Sequence, residues 1–373
     1  ANLEKMEIQH LVRNVRRSAL DEDTKRQLHR SAVEHWKGLA ETDEEKVILL
    51  YHRIASMDEG IDTQLDAEME RLLESHSGAF SVLLEQAIKV SSMPSHLHYL
   101  AGKVAIERCE VDHVRRHIES VEDPAEHRYL SLGLAMLEGR IQDAEEIIET
   151  GLSSTNQKDA NRMALAAASR RLDDCVFGES DAELSKQVKH YLSKVKIPEN
   201  DPEERSVTLV ALSMIQHALA LREGDFVKAS RLRESLAGIG GLTQPLLQGM
   251  TAKALLLEAD TDQALNASIE HLEQAIEQQN STVRANALRL SLVEHTLERN
   301  SLKASEVFAK IEEPQSTSGS ATLHRLHARW WTCKAKLQPN MRRIALREAI
   351  TQHRAAGCPR AAKTLELQLH SLL

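Results

Sequence analysis

The 373-residue sequence predicts an all-α chain of helical hairpins stacked side by side as a solenoid, and three observations carry that expectation. Tyr129 to Leu152 (YLSLGLAMLEGRIQDAEEIIETGL) runs with helical apolar periodicity into Gly139-Arg140 and restarts with Ala144 close behind the glycine. Ile215 to Leu236 (IQHALALREGDFVKASRLRESL) repeats that spacing with Gly224 and Ala229. Only 15 Gly, 8 Pro and 3% aromatic residues, with no period-2 run, suit long helices and not sheets. A single core seldom grows past about 250 residues, so a chain this long splits or extends, and repeated hairpins favour extension.

The spacing has a steric reason. Glycine ends the first helix in a left-handed conformation, and alanine lets the second helix approach the first closely. The pattern resembles the tetratricopeptide repeat, in which a small residue also sits late in the first helix; Gly133 or Ala135 takes that place in one copy and Ala218 in the other. The resemblance implies a right-handed superhelical solenoid of antiparallel helix hairpins with irregular repeats. Glu298 to Phe308 keeps the alanine as Ala304 with Asn300 at the turn, whereas Arg108 to His117 lacks both small residues. Gly139 and Gly224 are not separated by a multiple of the usual repeat of about 34 residues, so the helices between them are longer or irregular.

Element by element, the periodicity places helices at 3–18, 24–40, 43–57, 62–75, 79–91, 95–108 and 112–121. Thr24 with Gln27 forms a capping-box pattern for the second of these. Asp123-Pro124-Ala125-Glu126 supplies an N-cap, a first-turn proline and a glutamate three residues on, which starts a helix at 125–138, with 141–152 beyond the glycine turn. Helices at 157–172 and 181–195 follow, and Asp201-Pro202-Glu203-Glu204 repeats the same start for 202–222. The rest reads as 226–237, 244–258, 262–279, 282–299, 302–311, 320–337, 340–355 and 359–372.

Two stretches read as joints: Ala237-Gly238-Ile239-Gly240-Gly241, and the polar spacer Pro314-Gln315-Ser316-Thr317-Ser318-Gly319-Ser320. They divide the chain into an N-terminal helical segment at 1–60 joining to an upstream module, a repeat array at 61–313 and a basic C-terminal module at 321–373. That module holds ten Lys or Arg against Glu348 and Glu366, a net +8, which leaves −17 on the remainder of a chain whose net charge is −9. Such polarity attracts an anionic partner or docks the basic end on the chain's own acidic body. Cys109, Cys175, Cys333 and Cys358 form no CxxC pair, as in reduced, cytoplasmic proteins. No run reaches the 18 or so apolar residues of a membrane span, and the first residues (ANLEKMEIQH) lack a signal-peptide core. The chain starts inside a helical pattern, as a piece of a longer chain would.

The first 60 residues carry a second likeness. His10-Leu11-Val12-Arg13, then Thr24 to Trp36 (TKRQLHRSAVEHW), then Leu50-Tyr51-His52, resemble the segment that joins the ATPase module to the repeat array in STAND-type signal-transduction ATPases. Here Leu11 follows His10 directly, without the acidic residue that family commonly has. The resemblance implies a multidomain regulator whose P-loop ATPase is a switch and whose C-terminal repeats sense a ligand or partner. This chain has no GxxxxGK[ST] phosphate cradle of its own.

Metal and catalytic constellations are weak. Cys109, His113 and His117 are spaced to align on one helix, but a break at Glu110 to Asp112 separates the cysteine; His324, His327 and Cys333 have similar standing, and His96 and His98 diverge. Asp173-Asp174 reads as a solvated helix end, because no second acidic motif accompanies it. No nucleophile elbow occurs. The expectation is therefore no catalytic residue, no cofactor and no metal. The best candidates are basic: Arg325, Arg329 and Lys336 beside an apolar stripe of Leu323, Leu326, Trp330, Cys333 and Leu337, with Arg343, Arg347 and Arg354 in a row on the next helix. With Trp331 they form a candidate partner or anion surface, expected to be exposed once the stripe is buried. The function expected is a protein- or ligand-binding repeat module whose concave helical surface holds a partner, the sensor arm of an ATP-dependent signalling or transcription regulator. The alternative is a free-standing adaptor or nucleic-acid-associated protein using the basic helices.

Overall fold

The computed structural model describes residues 20–372 apart from 177–181, 240–243, 260, 278–281, 298 and 315–319. The helix expected at 3–18, with His10 to Arg13, lies outside the described residues, as do Gly240 and Gly241 of one joint and Gln315 to Gly319 of the other. The described chain is all-helical, with no strand among the described residues. It divides into two compact units, residues 1–104 with 119–121, and residues 105–118 with 122–373.

In the first unit, α1 (Glu22–Trp36) packs on α2 (Asp43–Ala55), and α2 packs on α3 (Ile61–Val90). The cap of α1 is Asp21, not Thr24: its carboxylate accepts from the Thr24 N–H at 2.8 Å and from the Thr24 hydroxyl at 2.7 Å. A full capping box starts α2, Thr42 accepting from the Glu45 N–H while Glu45 accepts from the Thr42 N–H. The two helices expected at 62–75 and 79–91 are one 30-residue helix, bent where His76 leaves helical geometry (φ −142, ψ 44). Leu65, Leu72, Phe80 and Leu84 of α3 are fully buried with Leu97 and Leu100 of α4 (Pro94–Glu107), the helix whose last residues belong to the second unit.

The second unit runs through α5 (Val111–Ile118), α6 (Pro124–Leu137), α7 (Ile141–Leu152), α8 (Gln157–Asp173), α9 (Ala182–Leu192), α10 (Pro202–Glu223), α11 (Phe226–Ile239) and α12 (Gln244–Glu258). It continues through α13 (Asp262–Glu277), α14 (Thr282–Thr296), α15 (Ser301–Ala309), α16 (Ala321–Leu337), α17 (Arg342–Ala355) and α18 (Pro359–His370). Asp123 caps α6 by accepting from the Ala125 and Glu126 N–H groups, and Asp201 caps α10 by accepting from Glu204. Gly139 and Gly224 both turn with positive φ (70° and 71°), a conformation that a Cβ disfavours. Ala144 and Ala229 behind them are fully buried, Ala144 among Leu132, Ala135, Ile148 and Met163. Gly133 marks a close approach: a Cβ there would lie 2.2 Å from Ile106 Cδ1.

Each helix from α5 to α18 packs on its successor. Alternate helices also meet: α6 with α8, α8 with α10, α12 with α14, and α14 with α16, while Ala220 and Leu221 of α10 share a core with Ala254 of α12. Helix α16 then packs on α6, so the unit's last helices return to its first. No helix among the described residues is long and apolar enough to cross a membrane.

Candidate functional site

The return of the chain is held by the end of α8. Asp174, 2% exposed, accepts from the Arg360 N–H at 3.0 Å and the Ala361 N–H at 3.1 Å, so it caps α18 from a distant part of the sequence. Burial raises its carboxyl pKa even though these two N–H groups favour the charged form. Cys358 donates to the Asp173 carbonyl at 3.7 Å, and burial pushes its thiol up to about 12. Asp173 itself pairs with Arg325. The solvated helix end expected at Asp173-Asp174 is therefore wrong for Asp174; the pair anchors the C-terminal helices because α17 and α18 are folded back over it.

The same return changes the surroundings of α16. Leu326, Trp330 and Cys333 of the expected stripe are buried, but so are His327, Ala328, Thr332 and Ala335, because α16 meets α6, α14, α15 and α17 at once. A helix covered on several sides cannot present Arg325 and Arg329 as a free outward row. Arg329 grips Glu294 of α14 with two hydrogen bonds, Nε to Oε1 at 2.9 Å and Nη2 to Oε2 at 2.7 Å, and Nη2 also reaches the Ser291 hydroxyl at 3.0 Å. Burial pushes the Glu294 carboxyl up, yet the Arg329 guanidinium outweighs it and holds it below the ordinary carboxylate value. Arg325, desolvated and beside Arg329, is pulled down to about 10.

Further cations gather around this pair. Lys253 of α12 lies in the field of Arg329, Glu294 and Arg222, and burial followed by the repulsion of Arg329 lowers its ammonium to about 8. Arg222, at the end of α10, is exposed and donates to the Cys175 sulfur. Three imidazoles border the cluster. His217 (near Arg233 and Lys253), His295 and His353 (near Arg325 and Arg329) are each drawn down to about 4, burial being the first cause, so they are neutral at pH 7. Water still reaches the place, since Arg325 and Asp173 keep 33% and 42% of their side-chain surface. The arrangement is a cation-rich cluster of side chains from α10, α12, α14 and α16, bordered by the end of α8, with no nucleophile and base in hydrogen-bond contact among the residues described for it.

The other sequence-selected residues lie elsewhere. Trp331 donates its indole N–H to His327 Nε2 at 2.8 Å, and Lys334 stands over both Trp330 and Trp331, 4.5 Å and 4.4 Å from their ring centres. Lys336, Arg343, Arg347 and Arg354 are exposed, and Arg354 pairs with Glu366 at 2.5 Å. The basic candidates are thus divided between the Glu294 cluster and the surface. Sequence reading missed Lys253, Glu294, Arg222 and the role of Asp173. Glu294 did carry a signal, a lone carboxylate within the apolar run Leu290 to Leu297 (LSLVEHTL), where a charge needs a partner.

In the first unit, His29 and His52 bring their Nδ1 atoms to 2.8 Å, with Tyr51 edge-on to His29. Cys109 sits at positive φ (58°) beyond the end of α4, so it does not share a helix with His113 and His117. No group of three metal-binding side chains converges among the described residues. No family model, curated protein or solved structure matches the chain.

Proposed function

We propose that the chain is a non-catalytic binding module, an irregular tetratricopeptide-like array whose inner helices hold a ligand or partner, and that it serves as the cytoplasmic sensor arm of a larger ATP-dependent signalling or transcription regulator of the STAND type. One observation carries the binding half of this reading. Arg222 of α10, Lys253 of α12 and Arg325 and Arg329 of α16 lie in one another's field around Glu294 of α14 instead of dispersing over the surface. Isolated buried charge is costly, and binding is a reason for a fold to carry it. The regulator half rests on the likeness of Thr24 to Trp36 and Leu50 to His52 to the STAND joining segment.

Two experiments test the two halves. Ligand or peptide binding at this cluster slows amide exchange in α12, α14 and α16; a screen in which every binder protects only α17 and α18 sinks the inner-face reading. A P-loop encoded upstream of Ala1 supports the regulator, and a gene product without one rules it out. A second reading draws on Arg343 and Arg347, which are exposed and engaged by no ion pair among the described residues: an adaptor that contacts nucleic acid or an acidic protein through α17. Heparin or DNA binding that weakens steeply with salt and disappears in Arg343→Glu/Arg347→Glu favours that second reading.

A further inference from the structure

Two imidazoles meet head-on between α1 and α2. His29 Nδ1 and His52 Nδ1 are 2.8 Å apart in half-buried side chains, and their ring centres are 5.1 Å apart. That is close to the greatest separation a 2.8 Å contact between ring atoms allows, so the two nitrogens point straight at each other. The distance is that of a hydrogen bond, and a hydrogen bond between two like nitrogens holds one proton: one Nδ1 donates and the other keeps its lone pair. The contact therefore exists with both rings neutral or with one of them charged. With both charged, two N–H groups and two positive charges face each other and the contact is lost. A metal ion does not fit in its place, because each metal–nitrogen bond alone needs about 2 Å along this line.

Little apolar surface holds α1 beside this contact: Val33 is the one buried residue of the helix, and Leu28 is 56% exposed. The charges around the pair do not favour a second proton on it. Lys25 and Arg26 lie one turn before His29, with Glu22 paired to Lys25 at 2.7 Å, while Asp23, Arg30, Glu34 and His35 of α1 are exposed. On α2, Tyr51 stands edge-on to His29, Arg53 is paired with Asp58 at 2.6 Å, Glu45 is spent on the Thr42 cap and Glu44 is 3.3 Å from His76. On α3, which packs on α2, Arg71 takes both Glu68 and Asp43, Asp66 is 3.8 Å from His96, and Asp62 lies in the first turn, where a carboxylate suits the helix dipole. We infer that the His29–His52 contact is a pH-sensitive latch that keeps α1 docked on α2 at neutral pH and releases it in acid. Released, each ring takes up a proton as the pH falls through the ordinary imidazole value of about 6.5, whereas docked they hold at most one extra proton between them. Docking is thus complete above that value, and release becomes up to about tenfold more favourable for each pH unit below it. The first unit alone carries this inference, apart from the ligand-binding reading.

The test is amide exchange of the full chain at about pH 7.5 and about pH 5.5, either side of the ordinary imidazole value, corrected for the intrinsic effect of pH and with α2 and α3 as the internal reference. Opening of α1 is expected to increase about tenfold at the lower pH relative to α2 and α3. His29→Asn and His52→Asn each put an amide where one Nδ1 was; it donates to or accepts from the remaining ring in either charge state, so α1 is expected to lose most of its pH response in both variants. Equal opening of wild-type α1 at the two pH values, or an increase that both variants keep in full, overturns the inference. A nitrogen NMR titration of the wild-type imidazoles supplies a check that needs no variant. Both rings are expected to become charged only as α1 loses protection, and two charged rings under a still protected α1 overturn the inference as well.

Discussion

Glu294 is the residue on which the charged cluster turns. Its carboxylate accepts two hydrogen bonds from Arg329, whose Nη2 also reaches the Ser291 hydroxyl, and it stands in the field of Lys253. Glu294→Gln keeps the shape and removes the charge, so Arg329, only a quarter exposed, loses its counter-ion. The expected cost is about 2–4 kcal/mol, the range for an orphaned buried partner reduced for the 25% exposure of Arg329. Urea unfolding measures it, and adding Arg329→Met to the same chain should recover part of the loss. The imidazoles give a pH signature with a definite sign. His217, His295 and His353 titrate near 4 when folded and near 6.5 when unfolded, so unfolding takes up protons between those values. Stability from these groups is complete above pH 6.5 and falls by about 1.4 kcal/mol per pH unit per histidine as the pH drops towards 4. His353→Gln should make the dependence of unfolding free energy on pH shallower by about one proton in that window; an unchanged slope would show that His353 is already charged in the fold.

At the scale of the element, the hairpin turns are governed by local sterics. Gly139 and Gly224 need positive φ, and the alanines behind them are fully covered, so Ala144→Phe or Ala229→Phe forces a ring into a closed helix pair. Each should destabilise the chain by about 1–3 kcal/mol, read from the urea midpoint. Asp123, Asp201 and their following prolines are legible in the sequence because a cap and its N–H groups lie within three residues of each other. Elsewhere local rules compete. Asp21 displaces Thr24 as the cap of α1 because a carboxylate one turn earlier accepts from both the Thr24 N–H and its hydroxyl. At His76 the interruption between two expected helices survives only as a kink, since the chain resumes helical geometry immediately and buries Phe80 and Leu84 beyond it.

At the scale of the whole molecule, the decisive feature is that the second unit's last helices return to its early ones. Asp174 is the hinge pin of that return, and Asp174→Ala leaves the first N–H groups of α18 without their acceptors. The expected result is a loss of about 1–2 kcal/mol together with faster amide exchange from Ala321 onward, while α6 to α8 keep their protection. Uniform acceleration throughout the unit would mean instead that it opens only as a whole. The sequence by itself determined the helical class, the two glycine turns, the prolines that start helices and the excess of positive charge after Ala321. All of these depend on residues within a turn or two of each other, where helix geometry dictates who meets whom. It did not determine which arginines are exposed. Arg329 meets a carboxylate 35 residues away and the Asp174 cap acts across 186, so their partners depend on how successive helices stack and where the stack comes back on itself. Local periodicity encodes which face of α16 is apolar; only the arrangement of α6, α14 and α17 around it decided that the opposite face would be covered as well.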